Sequence, residues 1–313
     1  MKHAAKPFRF GVQEHFAPTA KAWRDRARLV ESLGYELLYL PDHFGEQLAP
    51  IAALMSAADA TTNLRVGSLV FDNDYRHPVV LAKEVATMDL LSDGRFDFGL
   101  GAGWLAQDYE RSGMPYDSPG VRIERMEEGL KIIKGLLAGG SFSFTGKHYR
   151  ITELEGWPTP VQKPHPPILI GGGGRRMLTL AAREADIVNV NFDLREGRVS
   201  RRVAQSGFAA ATAEKLEWIK EAAGDRFENI ELGAWVFLAQ VTEDREAVAA
   251  AIATGFGAEA SDVLDMPHFL IGTVDELVDD LTARRERYGF SFVVVPGDAA
   301  EAFAPVVERL SGT

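Results

Sequence analysis

Cysteine is absent from the 313 residues. Disulfides, thiolate metal sites and a cysteine nucleophile are therefore excluded. No apolar run approaches the roughly 18 residues that a membrane-spanning helix needs. Met1–Gly11 has no apolar stretch long enough for a signal peptide. A cytoplasmic protein without a membrane partner is expected. Positive charge is in deficit: 34 Lys and Arg stand against 45 Asp and Glu, a net charge of −11. That balance argues against nucleic acid as a main partner, though it leaves room for a local basic pocket. HExxH and paired-His spacings are missing, so no metal site is expected, and no Gly-x-Ser-x-Gly elbow occurs. No linker or low-complexity tract divides the chain, so residues 1–313 are expected to form one domain.

What is present is a rhythm of short apolar runs alternating with longer amphipathic ones. Apolar runs at Phe8–Val12, Tyr35–Leu40, Leu64–Phe71, Arg95–Leu100, Ile168–Ile170, Asp186–Val190, Ile230–Val241 and Phe290–Val295 read as strands. Helices are expected over Thr19–Leu33, Pro50–Thr62, Pro78–Leu91, Val121–Leu137, Arg175–Glu184, Gly207–Ala223, Asp244–Thr254, Val274–Tyr288 and Ala299–Leu310. Gly139–Pro167, with a hairpin near Phe142–Ile151, and Gly255–Gly272 read as insertions. Apolar strands flanked by helices imply a parallel sheet covered by helices. Eight repeats of similar length favour an α/β fold closed into a (β/α)8 TIM barrel, with both insertions near its C-terminal face. A doubly wound open sheet is the competing topology.

Active sites of such barrels gather where the strands end. The polar residues at those ends are Gln13-Glu14-His15-Phe16, Asp42-His43-Phe44, Asp72-Asn73-Asp74 and Asn189-Val190-Asn191. Gly171-Gly172-Gly173-Gly174 follows the fifth strand and opens a helix beginning Arg175-Arg176. Glycines let backbone N–H groups close on an anion, the helix start adds positive potential, and arginine offers a forked contact to phosphate. A plain tight turn is the alternative. Gly99-Leu100-Gly101-Ala102-Gly103 has Trp104 where the third glycine of a dinucleotide fingerprint would stand. Its small residues leave room for a flat ring or simply pack strand against helix. His43 is a candidate proton donor or acceptor, with Asp42 beside it to orient it. His15 has a similar claim, and His268 is placed on a lid. His15, Phe16, Phe44 and Trp104 are candidates for an apolar substrate pocket. Glu127 and Glu128 read as a solvated helix face.

The ordered motifs Leu40-Pro41-Asp42-His43-Phe44, Tyr75-Arg76-His77-Pro78, Leu91-Ser92-Asp93-Gly94-Arg95, Gly99–Trp104 and Pro167–Gly172 extend across nearly the whole chain. On these the chain resembles the luciferase-like monooxygenase superfamily, in particular its branch dependent on coenzyme F420. The resemblance implies a deazaflavin ring across the barrel mouth, a non-prolyl cis peptide at Ser68-Leu69, a functional His43, and the cofactor phosphate at Gly171–Gly174. It implies hydride transfer between the deazaflavin C5 and a small organic substrate. Two other readings share the scaffold: an FMN-dependent monooxygenase using O2 and a partner reductase, and a non-catalytic flavin-binding barrel. Homodimers are common in the family. Sugar-phosphate dehydrogenases of the branch carry glutamate where this chain has Trp104 and tryptophan where it has Gln47, which argues against glucose-6-phosphate as substrate.

Overall fold

A computed structural model describes residues 6–198 and 200–313. Residues 1–5, within the segment read as lacking a signal peptide, lie outside the described residues. Eight parallel strands close into a barrel: β1 Arg9–Gln13, β2 Leu37–Leu40, β3 Arg65–Ser68, β4 Phe96–Gly101, β5 Ile168–Gly172, β6 Ile187–Val190, β7 Glu231–Trp235 and β8 Phe290–Pro296. Around the barrel the order is β3-β2-β1-β8-β7-β6-β5-β4, and β3 pairs with β4 to close it. The TIM-barrel expectation holds, and the open sheet does not.

Local signals account for most helix ends. Thr19 accepts the Ala22 N–H at 3.1 Å and starts the helix Ala20–Ser32, whose Trp23, Ala27 and Val30 recur on one buried stripe. Pro78 occupies the first turn of Pro78–Leu91, where a missing N–H costs nothing. Thr273 and Glu276 form a capping box at the start of Val274–Tyr288.

The barrel interior is layered. At its floor Arg9 reaches Glu231 at 2.6 Å and Asp97 at 3.5 Å. Arg65 also binds Asp97, which receives the Tyr39 hydroxyl at 3.2 Å. Above this charged floor lie Leu37, Tyr39, Leu169, Ile187, Phe292 and Val294. Room for Tyr39 comes from β3: a Cβ on Gly67 would stand 2.5 Å from the tyrosine ring and 2.7 Å from the Asp97 carbonyl.

The hairpin expected in the first insertion is present, whereas the segment after β4 and the second insertion contain structure that the sequence reading left out. A helix at Ala106–Ser112 follows β4, and the hairpin pairs Gly140–Thr145 with Arg150–Gly156. The expected strand Ile230–Val241 is two strands: β7, and Leu238–Val241, which leaves the barrel to pair with Phe269–Gly272. The stretch read as irregular from Gly255 to Gly272 contains the end of the helix Arg245–Phe256, the helix Ala260–Asp265 and that second strand. Pairing between distant segments built this layer, and no local period marks it. Among the described residues, no helix is long and apolar enough to cross a membrane.

Candidate active site

A cavity of about 810 Å³ opens at the C-terminal ends of the strands. Asp42, His43, Leu69, Gly101–Trp104, Gly171–Gly174, Arg175 and Arg176 all contribute to its lining. His15, Phe16, Phe44 and Ser68 do not line it. Phe16 is half exposed, and Phe44 stacks against Tyr75 with ring centroids 4.5 Å apart. His15 lies within electrostatic reach of His43; its pKa is lowered by burial first, opposed by Glu14 and supported by the His43 charge.

His43 follows β2, and its Nδ1 lies 2.6 Å from Oδ2 of Asp108. Trp104 meets the imidazole edge-on at 6.0 Å. Donation of Nδ1–H to the Asp108 carboxylate leaves Nε2 as the ring nitrogen free for another partner. Asp108 also accepts the Tyr75 hydroxyl at 3.3 Å. The orienting role expected of Asp42 therefore falls to Asp108. Neighbouring side chains leave the backbone in different directions: Asp42 turns to Arg76, with Nη2 at 3.2 Å, and accepts the Asp72 N–H at 3.1 Å. Asp108 was missed because the Ala106–Ser112 helix was not assigned. Its only local signal is the Asp108-Tyr109 pair shortly after the β4 glycines.

The cis peptide joins Leu69 and Val70, one residue beyond the expected Ser68-Leu69. Ser68 is fully buried and clasps β4: its hydroxyl donates to the Gly99 carbonyl at 2.8 Å and accepts the Gly99 N–H at 3.1 Å. Ser68 thus ends the regular strand, and Leu69 and Val70 face the cavity. Gly101 lies opposite them; a Cβ there would come within 2.6 Å of Val70. Gly103 has φ +69°, and a side chain on it would strike the Tyr109 hydroxyl and Asp72. Arg122, itself buried, donates to the Ala102 carbonyl at 3.1 Å and the Gly103 carbonyl at 3.3 Å, holding this segment in shape.

Asp72 lines the same wall and is 5% exposed. It accepts the Tyr109 hydroxyl at 2.9 Å and the Asp74 N–H at 2.9 Å. Arg76 is paired with Asp42 and Arg125 with Asp74, and no ion pair reaches Asp72 among the described residues. Burial, with the neighbouring Asp74 and Asp42 charges adding to it, pushes the Asp72 carboxyl from 3.8 up to about 7.

The glycine turn fits an anion. The helix Arg175–Glu184 has Gly174 as its N-cap and no side chain capping its first amides. At Gly172 a Cβ would collide with Met177, and at Gly173 with the Phe192 backbone. Arg176 lines the cavity, while Arg175 also reaches Glu221 at 3.2 Å. Arg183 is in the last turn of the helix, outside the lining. Two residues unforeseen from sequence stand beside the turn: Asp193 and Arg195, ion-paired to each other, lie 3.5 and 3.9 Å from where a Gly174 Cβ would be. Behind that loop the buried Lys215 donates to the Asn191 and Ser206 carbonyls at 2.7 and 2.6 Å, and burial brings its pKa down to about 8.

His268 is not on a lid. It is fully buried, its Nδ1 bonds the Trp235 carbonyl at 2.7 Å, and Phe192 packs on it at 4.1 Å. Burial lowers its pKa to about 3, so the ring is neutral. The strand pairing around Phe269 carried it inward.

A family model described as luciferase-like monooxygenase matches residues 3–266. The chain is 30% identical over 183 residues to the FMNH(2)-dependent dimethylsulfone monooxygenase of Pseudomonas putida, covering 56% of this chain and 49% of that protein. It is 28% identical over 164 residues to the F420-dependent glucose-6-phosphate dehydrogenase of Amycolatopsis mediterranei, covering 50% of this chain and 49% of that protein. The chain thus spans about half the length of these curated relatives. In fold it is similar to the coenzyme F420-dependent tetrahydromethanopterin reductase from Methanopyrus kandleri, with a TM-score of 0.77, 19% identity, and coverage of 97% of this chain and 98% of that one. The match to residues 3–266 extends over most of the sequence, and the chain belongs to the luciferase-like monooxygenase family.

Proposed function

We propose that this chain is an F420-dependent oxidoreductase acting on a small organic substrate. The observation that carries the choice of cofactor is the charge around the glycine turn. Near neutral pH a terminal phosphomonoester, as in FMN, carries a charge between about −1.5 and −2. The phosphodiester of F420 carries a single charge. Asp193 beside Gly174 already engages Arg195, so the turn suits the less charged group better. Arg175 and Arg176 line the cavity beside it and would offer positive charge to the glutamate tail of F420.

When bound, a deazaflavin supplies hydride-transfer chemistry at C5. The chain's own residues do the rest. Gly171–Gly174 hold the phosphate, and Leu69, Val70 and Gly101 shape the surface for the ring. His43 exchanges a proton through Nε2, and Asp108 holds its tautomer. Trp104, Leu105, Trp235 and Phe237 line the cavity and exclude water. The similarity to the Pseudomonas putida monooxygenase supports the second reading, an FMN-dependent monooxygenase served by a separate reductase.

Fluorescence titration with F420 and with FMN tests the proposal. F420 binding tighter than FMN by about 100-fold is expected, roughly 2.7 kcal/mol. In the same titration His43→Ala is expected to keep F420 affinity, and in a rate assay of F420 oxidation or reduction to lose about 10²-fold or more in turnover. Tight FMN binding without a response to F420 would sink the F420 assignment, and wild-type turnover in His43→Ala would remove it from the mechanism.

A further inference from the structure

Asn189 is on β6, in register with Gly171 of β5 and Gly233 of β7. Its side chain belongs to the upper layer of the barrel interior, one step above Ile187. It lines the cavity and is 2% exposed. Neither its Nδ2 nor its Oδ1 has a hydrogen-bond partner among the described residues. Other buried polar atoms without partners include Ser291 Oγ, Tyr288 Oη and His268 Nε2, one atom each, on residues that do not line the cavity. Asn189 leaves a donor and an acceptor unmade on one planar group. Buried amides are almost always satisfied, and an unmade pair is costly to keep.

The surroundings keep that amide approachable. Gly171 has no side chain to cover it; a Cβ there would meet nothing nearer than the Asn189 carbonyl at 3.7 Å. Of the two other amides that line the cavity, Gln13 already accepts from Trp235 Nε1 at 3.4 Å and Asn191 accepts the Phe192 N–H at 2.7 Å. Among the described residues no charged side chain is hydrogen-bonded to Asn189. The strand order places β6 four strands from β2 in either direction, so Asn189 faces the His43 side across the barrel. It is therefore remote from the proton-exchanging end of the site and adjacent to the strand that carries the glycine turn.

We propose that Asn189 recognises the imide edge of the redox ring. This rests on the cofactor reading above. That edge presents C=O, N–H and C=O in one plane, and flavins and deazaflavins share it. The Asn189 amide N–H donates to a ring carbonyl, and its Oδ1 accepts the ring N3–H. A carboxamide makes the same paired contact to a base edge in nucleic-acid recognition. Asn189 thus selects for the ring system and orients it, while the glycine turn and its charges choose between F420 and FMN.

The experiment compares F420 and FMN with their N3-methylated derivatives, in wild type and in Asn189→Leu, by ring fluorescence. Wild type is expected to bind the N3-methylated ring at least tenfold more weakly than its parent. Asn189→Leu is expected to lose at least tenfold for the parent and to bind parent and methylated rings alike. Its melting temperature should be no lower than that of wild type, because the leucine removes two unsatisfied atoms. Equal binding of both rings by wild type, which needs no variant, overturns the proposal. So does an Asn189→Leu protein with wild-type affinity and discrimination. A wild-type protein that binds neither F420 nor FMN overturns the functional reading itself, whereas ring binding with an indifferent Asn189 overturns only this inference.

Discussion

Asp72 shows how a single side chain takes its character from its neighbours' commitments. Two arginines serve the acidic cluster, and both are spent, on Asp42 and Asp74. Asp72 is left with a phenol and an amide as partners, and its carboxyl holds its proton up to about pH 7. A carboxyl raised in this way adds stability fully below its unfolded value of 3.8, and the contribution drains away as pH rises through 7. Asp72→Asn should therefore behave like wild type at pH 4 and become relatively more stable toward pH 8, by on the order of 3 kcal/mol. Thermal melts of both proteins across that range measure this; a gap that stays constant with pH contradicts it. His43 illustrates the limit of reading one residue at a time. Its position after β2 marks it as a candidate, but its partner lies 65 residues away.

At the scale of elements, the turn of the hairpin in the first insertion is gathered by one carboxylate. Glu128, on the helix Pro119–Leu137, accepts the backbone N–H groups of Lys147, His148 and Tyr149 at 2.7, 2.9 and 3.2 Å. Burial pushes its pKa up, and these three bonds outweigh that and leave it below the ordinary carboxylate range. The amphipathic pattern made Glu128 look like solvated surface; the turn it gathers lies some twenty residues further on. Glu127 keeps that plainer role and pairs with Lys131. Glu128→Ala should speed amide exchange at Lys147, His148 and Tyr149 by roughly tenfold, with little change in global stability. Unchanged protection at those three amides would show that the hairpin holds its own turn.

For the whole molecule, the charged floor joins strands from most of the sequence. Arg9, Arg65, Asp97 and Glu231 come from β1, β3, β4 and β7, and Asp97 is fully buried. Asp97→Ala leaves Arg65 and part of Arg9 without their counter-charge. A loss of about 3–5 kcal/mol is expected in urea denaturation; a loss below about 1 kcal/mol would mean that the floor adds little. The barrel was legible from the chain alone because strand and helix periods are local properties, written within windows of a few residues, and each of the eight repeats carries its own copy. The glycine turn was legible for the same reason, since only the backbone at Gly171–Gly174 had to be inferred. Hydrogen-bond partnership is not local. Which carboxylate holds His43, which acid is left without an arginine, where His268 ends up, and which amide in the barrel has no partner all depend on side chains brought together from distant strands. Those questions were decided when the tertiary fold closed, because satisfying one polar group there takes a partner away from another.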